Sequence, residues 1–219
     1  MKKLAIALLA ITTLSLSSCS KVLLGIYGIK SAKPMSNKEV GRVAQKNGYS
    51  LYSIYTLDSS YNQLVHSDID FQGVNDSDKI YKVLNFKKQL SQPLQYMLFD
   101  ASGKLIVHSV NCHTGGFPNL KWDREQAFQQ FPPVPLSSVD STFTMDDLKK
   151  YLHVVNVNGG SQSYDYQCVV FWNRFMGRQS KRLVKLALSN LKQAELKGKK
   201  VRVHLVNNEH YFYQLGFDL

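Results

Sequence analysis

Apolar positions recur along the chain with two periods, and the alternation between them sets out an α/β order. Val40, Val43 and Ala44 follow Ser36-Asn37-Lys38-Glu39, which has capping-box form, and Asn47-Gly48 closes that helix. Leu51–Leu57 is rich in aromatic and β-branched residues and reads as a strand. A second helix starts at Asp76 or Ser77, with Ile80, Val83 and Leu84 on one face. Tyr96–Phe99 and Lys104–Cys112 form a hairpin joined through Asp100-Ala101-Ser102-Gly103. A short helix is expected near Arg124–Phe128, and Phe131-Pro132-Pro133-Val134-Pro135 is an extended spacer. Thr144 caps a helix over Met145–Leu152, followed by a strand His153–Val157. Tyr211-Phe212-Tyr213 reads as a terminal strand packed on the sheet or as an aromatic binding patch.

The last third carries the strongest pattern. Gln167–Trp172 is an unbroken apolar run of the kind buried in a parallel strand. Arg178–Lys197 is an amphipathic helix with Leu183, Val184, Ala187, Leu188 and Leu191 inward, and Val201–Val206 is the next strand. Strand, helix and strand with short connections make a βαβ unit and a parallel strand pair.

The N-terminus differs from all of this. Lys2-Lys3 precedes the apolar run Leu4–Leu16, whose thirteen residues reach only ~20 Å as a helix against the ~30 Å core of a bilayer. A cleaved export signal fits better than a membrane span. The run ends Leu16-Ser17-Ser18-Cys19, which resembles a bacterial lipobox, in which the cysteine is acylated and becomes the mature N-terminus. The resemblance implies a signal peptide over 1–18, a lipidated tether over 19–35 and a domain over 36–219. It also implies a lipid-membrane partner through Cys19; Ser20, rather than an aspartate, resembles the Gram-negative pattern for the outer membrane, facing the periplasm. Val22, Leu23, Leu24, Ile26 and Tyr27 are apolar for a tether, which suits contact with the membrane or the domain.

Composition sharpens this picture in one respect. Hydrophobic residues at 44% and charged residues at 20% exclude a chain disordered throughout, and 27 basic against 16 acidic residues give +11. Residues 174–202 hold ten of those basic side chains and a single carboxylate, Glu195; the rest of the mature chain is electrically balanced. Arg178, Arg182, Lys185 and Lys192 recur at helical spacing as a stripe beside the apolar face. Arg174, Arg178 and Arg182, with the N–H groups near Gly177, form a candidate anion site; the alternative is a solvated face attracted to an acidic protein or an anionic envelope polymer. An export signal argues against nucleic acid as the partner.

Phe171-Trp172-Asn173-Arg174-Phe175-Met176-Gly177-Arg178-Gln179 resembles the active segment of the thioredoxin superfamily, where a Phe-Trp strand end leads to Cys-Gly-Pro-Cys at a helix start. Trp172, Phe175 and Gly177 match; Met176 and Gln179 stand in place of the two cysteines. A thioether has no proton to lose and forms no mixed disulfide, so dithiol exchange is excluded at this loop. In that family a cis-proline and a hairpin follow the βαβ unit, whereas here the hairpin precedes it. The resemblance implies a thioredoxin-like α/β (or α+β) mixed sheet with flanking helices and permuted strand order.

With Cys19 acylated, Cys112 and Cys168 remain, either as a disulfide or as two buried thiols. Cys112-His113 lacks the second ligand pair of a structural zinc site, and neighbours on a strand point to opposite faces. No cofactor or metal is implied. The leading reading is a non-catalytic, membrane-tethered binding or assembly module; the alternative is a thiol-disulfide enzyme acting through Cys112 or Cys168. Replacing Cys19 with Ser should shift the protein from the membrane to the soluble fraction of lysed cells, and unchanged partitioning would count against acylation.

Overall fold

The computed structural model describes residues 28–67, 76–110, 122–123, 126–158 and 163–217. Its elements, in chain order, are α1 (Asn37–Lys46), β1 (Ser53–Leu57), α2 (Tyr61–His66), α3 (Ser77–Leu90), β2 (Gln95–Asp100) and β3 (Leu105–Val110). They continue with α4 (Met145–Lys149), β4 (Leu152–Asn156), β5 (Tyr166–Trp172), α5 (Gly177–Leu196), β6 (Val201–Asn207) and α6 (Glu209–Gln214).

Six strands form one mixed sheet in the order β3-β2-β5-β6-β1-β4. The three central strands are parallel: Tyr166 to Trp172 of β5 pair with Val201 to Asn207 of β6, and Ser53 to Thr56 of β1 pair with His204 to Asn207. The β2–β3 hairpin lies antiparallel against β5, with Tyr96 opposite Val170, and β4 closes the other edge antiparallel to β1. The arrangement is thioredoxin-like, and the hairpin beside the first strand of the βαβ unit is supplied from upstream, so the strand order is permuted. The one cis peptide bond among the described residues is Phe131–Pro132; the bond before Pro93, which opens the hairpin, is trans.

Local chemistry explains where the elements begin. Ser36 Oγ accepts the Glu39 N–H at 3.3 Å while the Glu39 carboxylate accepts the Ser36 N–H at 3.0 Å, satisfying two donors at the start of α1. Thr144 and Asp147 repeat this box at α4, at 3.2 and 3.1 Å. Val169, Val170 and Phe171 of β5 are fully buried, as a strand covered on both faces requires. α5 covers β5 and β6 through Leu183, Val184, Ala187, Leu191 and Ala194.

Several expectations shift. Tyr211-Phe212-Tyr213 lies in a helix, not a strand: at helical spacing Tyr211 and Phe212 both reach the core, while Tyr213 stays outside. Residues 61–66, without a predicted element, form α2, because Tyr61 is drawn between Tyr151 and Tyr211 and donates its hydroxyl to the Leu90 carbonyl at 3.0 Å. The helix after Thr144 stops at Lys149, since Leu152 already pairs with Leu57. Of the expected helix near Arg124–Phe128, 124 and 125 lie outside the described residues and the following positions form turns. The domain also reaches back before residue 36. Ile29, Ala32 and Met35 are buried, and the Lys30 and Ala32 N–H groups donate to the Phe175 and Phe217 carbonyls at 2.8 and 3.1 Å.

No helix among the described residues is long and apolar enough to cross a membrane. Leu205 is fully buried in β6, so Leu205→Ala should cost about 2–5 kcal/mol in urea unfolding. Leu196→Ala, on a residue 81% exposed, should stay within about 0.5 kcal/mol. Equal losses at the two positions would contradict the placement of the core.

Candidate functional site

The carboxyl ends of β5 and β6 meet the start of the hairpin at a buried polar junction. Asn173 Nδ2 donates to Asn208 Oδ1 at 3.0 Å and to the Pro93 carbonyl at 3.2 Å, and Asn208 Nδ2 donates to that same carbonyl at 2.8 Å. Asn173 Oδ1 accepts the Met176 N–H at 2.8 Å, and the Asn173 N–H donates to Ser180 Oγ at 2.9 Å. These bonds satisfy backbone groups that leave the sheet at the strand ends. Arg174 donates both its backbone N–H and its Nε to Glu209 Oε2, at 2.7 and 3.1 Å; Glu209 is only 2% exposed. A carboxylate so buried needs that paired cation.

The Phe-Trp segment is therefore sealed. Trp172, Phe175, Met176 and Gln179 are all buried, whereas Gly177 is half-buried. Trp172 meets the Tyr49 ring edge-on at 5.5 Å, and Phe175 packs against Phe212 and Phe217 at 5.5 and 4.9 Å. The Lys30 N–H, which donates to the Phe175 carbonyl, and Phe212 of α6 thus hold Phe175 from two distant segments. The Gln179 amide makes no hydrogen bond among the described residues, through either its O or its N. Cys168, in mid-β5, is fully buried with a free thiol. Burial pushes that thiol up to about 12, and the Tyr96 hydroxyl pulls the other way. Cys19, Cys112 and His113 lie outside the described residues.

The basic stripe divides along α5. Arg174 is held by Glu209. Arg178 is exposed at the helix start and flanks Gly28, whose φ of +73° favours glycine and where a Cβ would stand 3.5 Å from Arg178 Cβ. Arg182 is also exposed. Arg174, Arg178 and Arg182 thus share the start of α5 with an internal carboxylate already on the first of them.

The cations further along line a cleft of about 930 Å³ between α5, the end of α1 and the starts of β1 and β6. Lys181, Lys185 and Lys192 come from one face of α5, Lys46 from α1 and Arg202 from β6; Glu195 is the single carboxylate of the lining. Tyr49, Tyr52 and Tyr164 bring aromatic rings, and the Arg202 guanidinium lies 5.6 Å from the centre of the Tyr164 ring. Burial, with the nearby Glu195 charge, raises the Tyr52 phenol above its ordinary value. Buried Val184 and Leu191 complete an apolar floor beneath the exposed lysines. The charge excess of residues 174–202 was legible in the sequence. Lys46 and the three tyrosines were not, because they join it only through the fold.

The histidines among the described residues are dispersed. His108 Nε2 bonds Gln95 Oε1 at 3.0 Å, and His210 Nδ1 accepts the Met35 N–H at 3.4 Å. His204 bonds Gln167 Oε1 at 3.2 Å and is held down to about 3, first by burial and then by Arg202 and Lys149. Among the described residues no three His, Cys, Asp or Glu side chains gather as metal ligands. No protein-family model matches the chain, and neither the curated proteins nor the solved structures searched give a match.

One carboxylate stands out by its surroundings. Asp58 is pulled down to about 2, first by the Ser60 hydroxyl and then by His153, whose Nε2 lies 2.6 Å from it. A folded value below the ordinary carboxylate near 3.9 stabilises the fold above pH ~4, and that contribution is lost as pH falls toward 2. Ser60→Ala should flatten the loss of thermal stability across that window; an unchanged acid profile would remove Asp58 from the account.

Proposed function

We propose that the protein is a lipid-anchored envelope module, acylated at Cys19 and held at the periplasmic face of the outer membrane, whose thioredoxin-like domain binds rather than reduces. The observation that carries this reading is the chemistry at the Phe-Trp loop. Met176 and Gln179 hold the two positions that the dithiol takes in the family this loop resembles, and both are buried, while Lys30 and Phe212 hold the neighbouring Phe175.

Redox chemistry needs a thiolate that solvent and a partner disulfide can reach. Cys168 offers neither, being fully buried and protonated at neutral pH. The thiol-enzyme alternative would then rest on Cys112 alone. Binding, by contrast, has a surface to use: the cationic, tyrosine-lined cleft along α5.

Full-length protein in non-ionic detergent should not accelerate insulin reduction by dithiothreitol. Cys168 should react with a thiol reagent only after denaturation. Catalysis above the protein-free rate, or rapid native labelling of Cys168, would overturn the reading.

A further inference from the structure

We infer that the cleft between α5, the end of α1 and the starts of β1 and β6 binds an anionic polysaccharide, a chain of sugar rings bearing carboxylate or phosphate groups. This rests on the binding-module reading and names its ligand class.

Charge sets the first requirement. Five cations from three separate elements, Lys46, Lys181, Lys185, Lys192 and Arg202, line one cleft against Glu195 alone. Lys181 to Lys192 covers roughly 16 Å of helix, so the row suits several anionic groups in succession rather than one. Each lysine is exposed, and a polyanion laid along them relieves their mutual repulsion.

The rings set the second. Tyr52 and Tyr164 stand among the cations, with buried Tyr49, Val184 and Leu191 beneath. The C–H face of a sugar ring packs on an aromatic ring while its substituents reach the surrounding ammonium groups, burying apolar area without stranding polar atoms. A cleft of about 930 Å³ has room for more than one ring.

An acidic peptide fits less well. β6 is an interior strand, paired to β5 and β1, so an acidic peptide cannot add to it by strand pairing.

Calorimetric titration of the full-length protein in non-ionic detergent tests this with four probes: a short oligogalacturonate, a neutral maltooligosaccharide of equal length, polyglutamate and phosphatidylglycerol vesicles. The oligogalacturonate should bind, more weakly as salt rises, and the neutral sugar should not. Lys185→Glu/Lys192→Glu should weaken binding about tenfold or more, and Lys46→Ala should weaken it less. A charge-matched Lys82→Glu/Lys88→Glu variant on α3 should leave it within about twofold. Tyr164→Ala should weaken the sugar polymer without changing any residual affinity for polyglutamate. Polyglutamate binding that equals the sugar and ignores Tyr164 would overturn the proposal in favour of an acidic protein. Binding to vesicles alone would overturn it in favour of lipid, and equal losses in the α3 variant would remove the cleft. Absence of binding to all four probes would overturn it too, while the redox-inactive reading would stand or fall on insulin reduction.

Discussion

Burial of β5 on both faces and both edges is the constraint on which the rest of the structure depends. Its residues Cys168 to Trp172 are all buried, and such a strand must find partners for every backbone N–H and C=O. β6 supplies them in parallel on one side and β2 antiparallel on the other. The parallel partner requires a crossover, which α5 provides, and the antiparallel partner requires a hairpin, which an upstream segment provides. The sheet therefore reaches a thioredoxin-like arrangement although its strands arrive in a different chain order.

Where β5 and β6 end, the same requirement recurs on a smaller scale. Asn173 and Asn208 divide their amide groups between each other, the Pro93 carbonyl and the Met176 N–H, so three separate chain segments meet in one hydrogen-bonded knot. Glu209 fixes Arg174 beside it, and Phe212 and Phe217 close over Phe175. A loop held in this way is well suited to joining the sheet to α6 and residues 29–35. It is poorly suited to presenting a reactive group. The lysines that the same packing leaves exposed lie further along α5.

Local patterns made much of the fold legible. The capping boxes at Ser36 and Thr144 depend on side chains three residues apart, and β5, α5 and β6 announce themselves by runs and periods within a single segment. α2 and α6 were hidden for the opposite reason. Each is a six-residue helix, too short to be stable alone, and each is held by aromatic contacts with distant segments, as Tyr61 with Tyr151 and Tyr211 shows.

The sequence by itself determined the α/β order, the absence of a thiol at Met176 and Gln179, and the concentration of charge in residues 174–202, because each is written in consecutive residues. Only the tertiary structure decided that the Phe-Trp loop is sealed and that Cys168 is beyond reach. It also decided that Lys46 and three tyrosines stand with the α5 lysines around one cleft. Those outcomes depend on which distant segments pack together, and that follows from burial summed over the whole chain rather than from any local pattern.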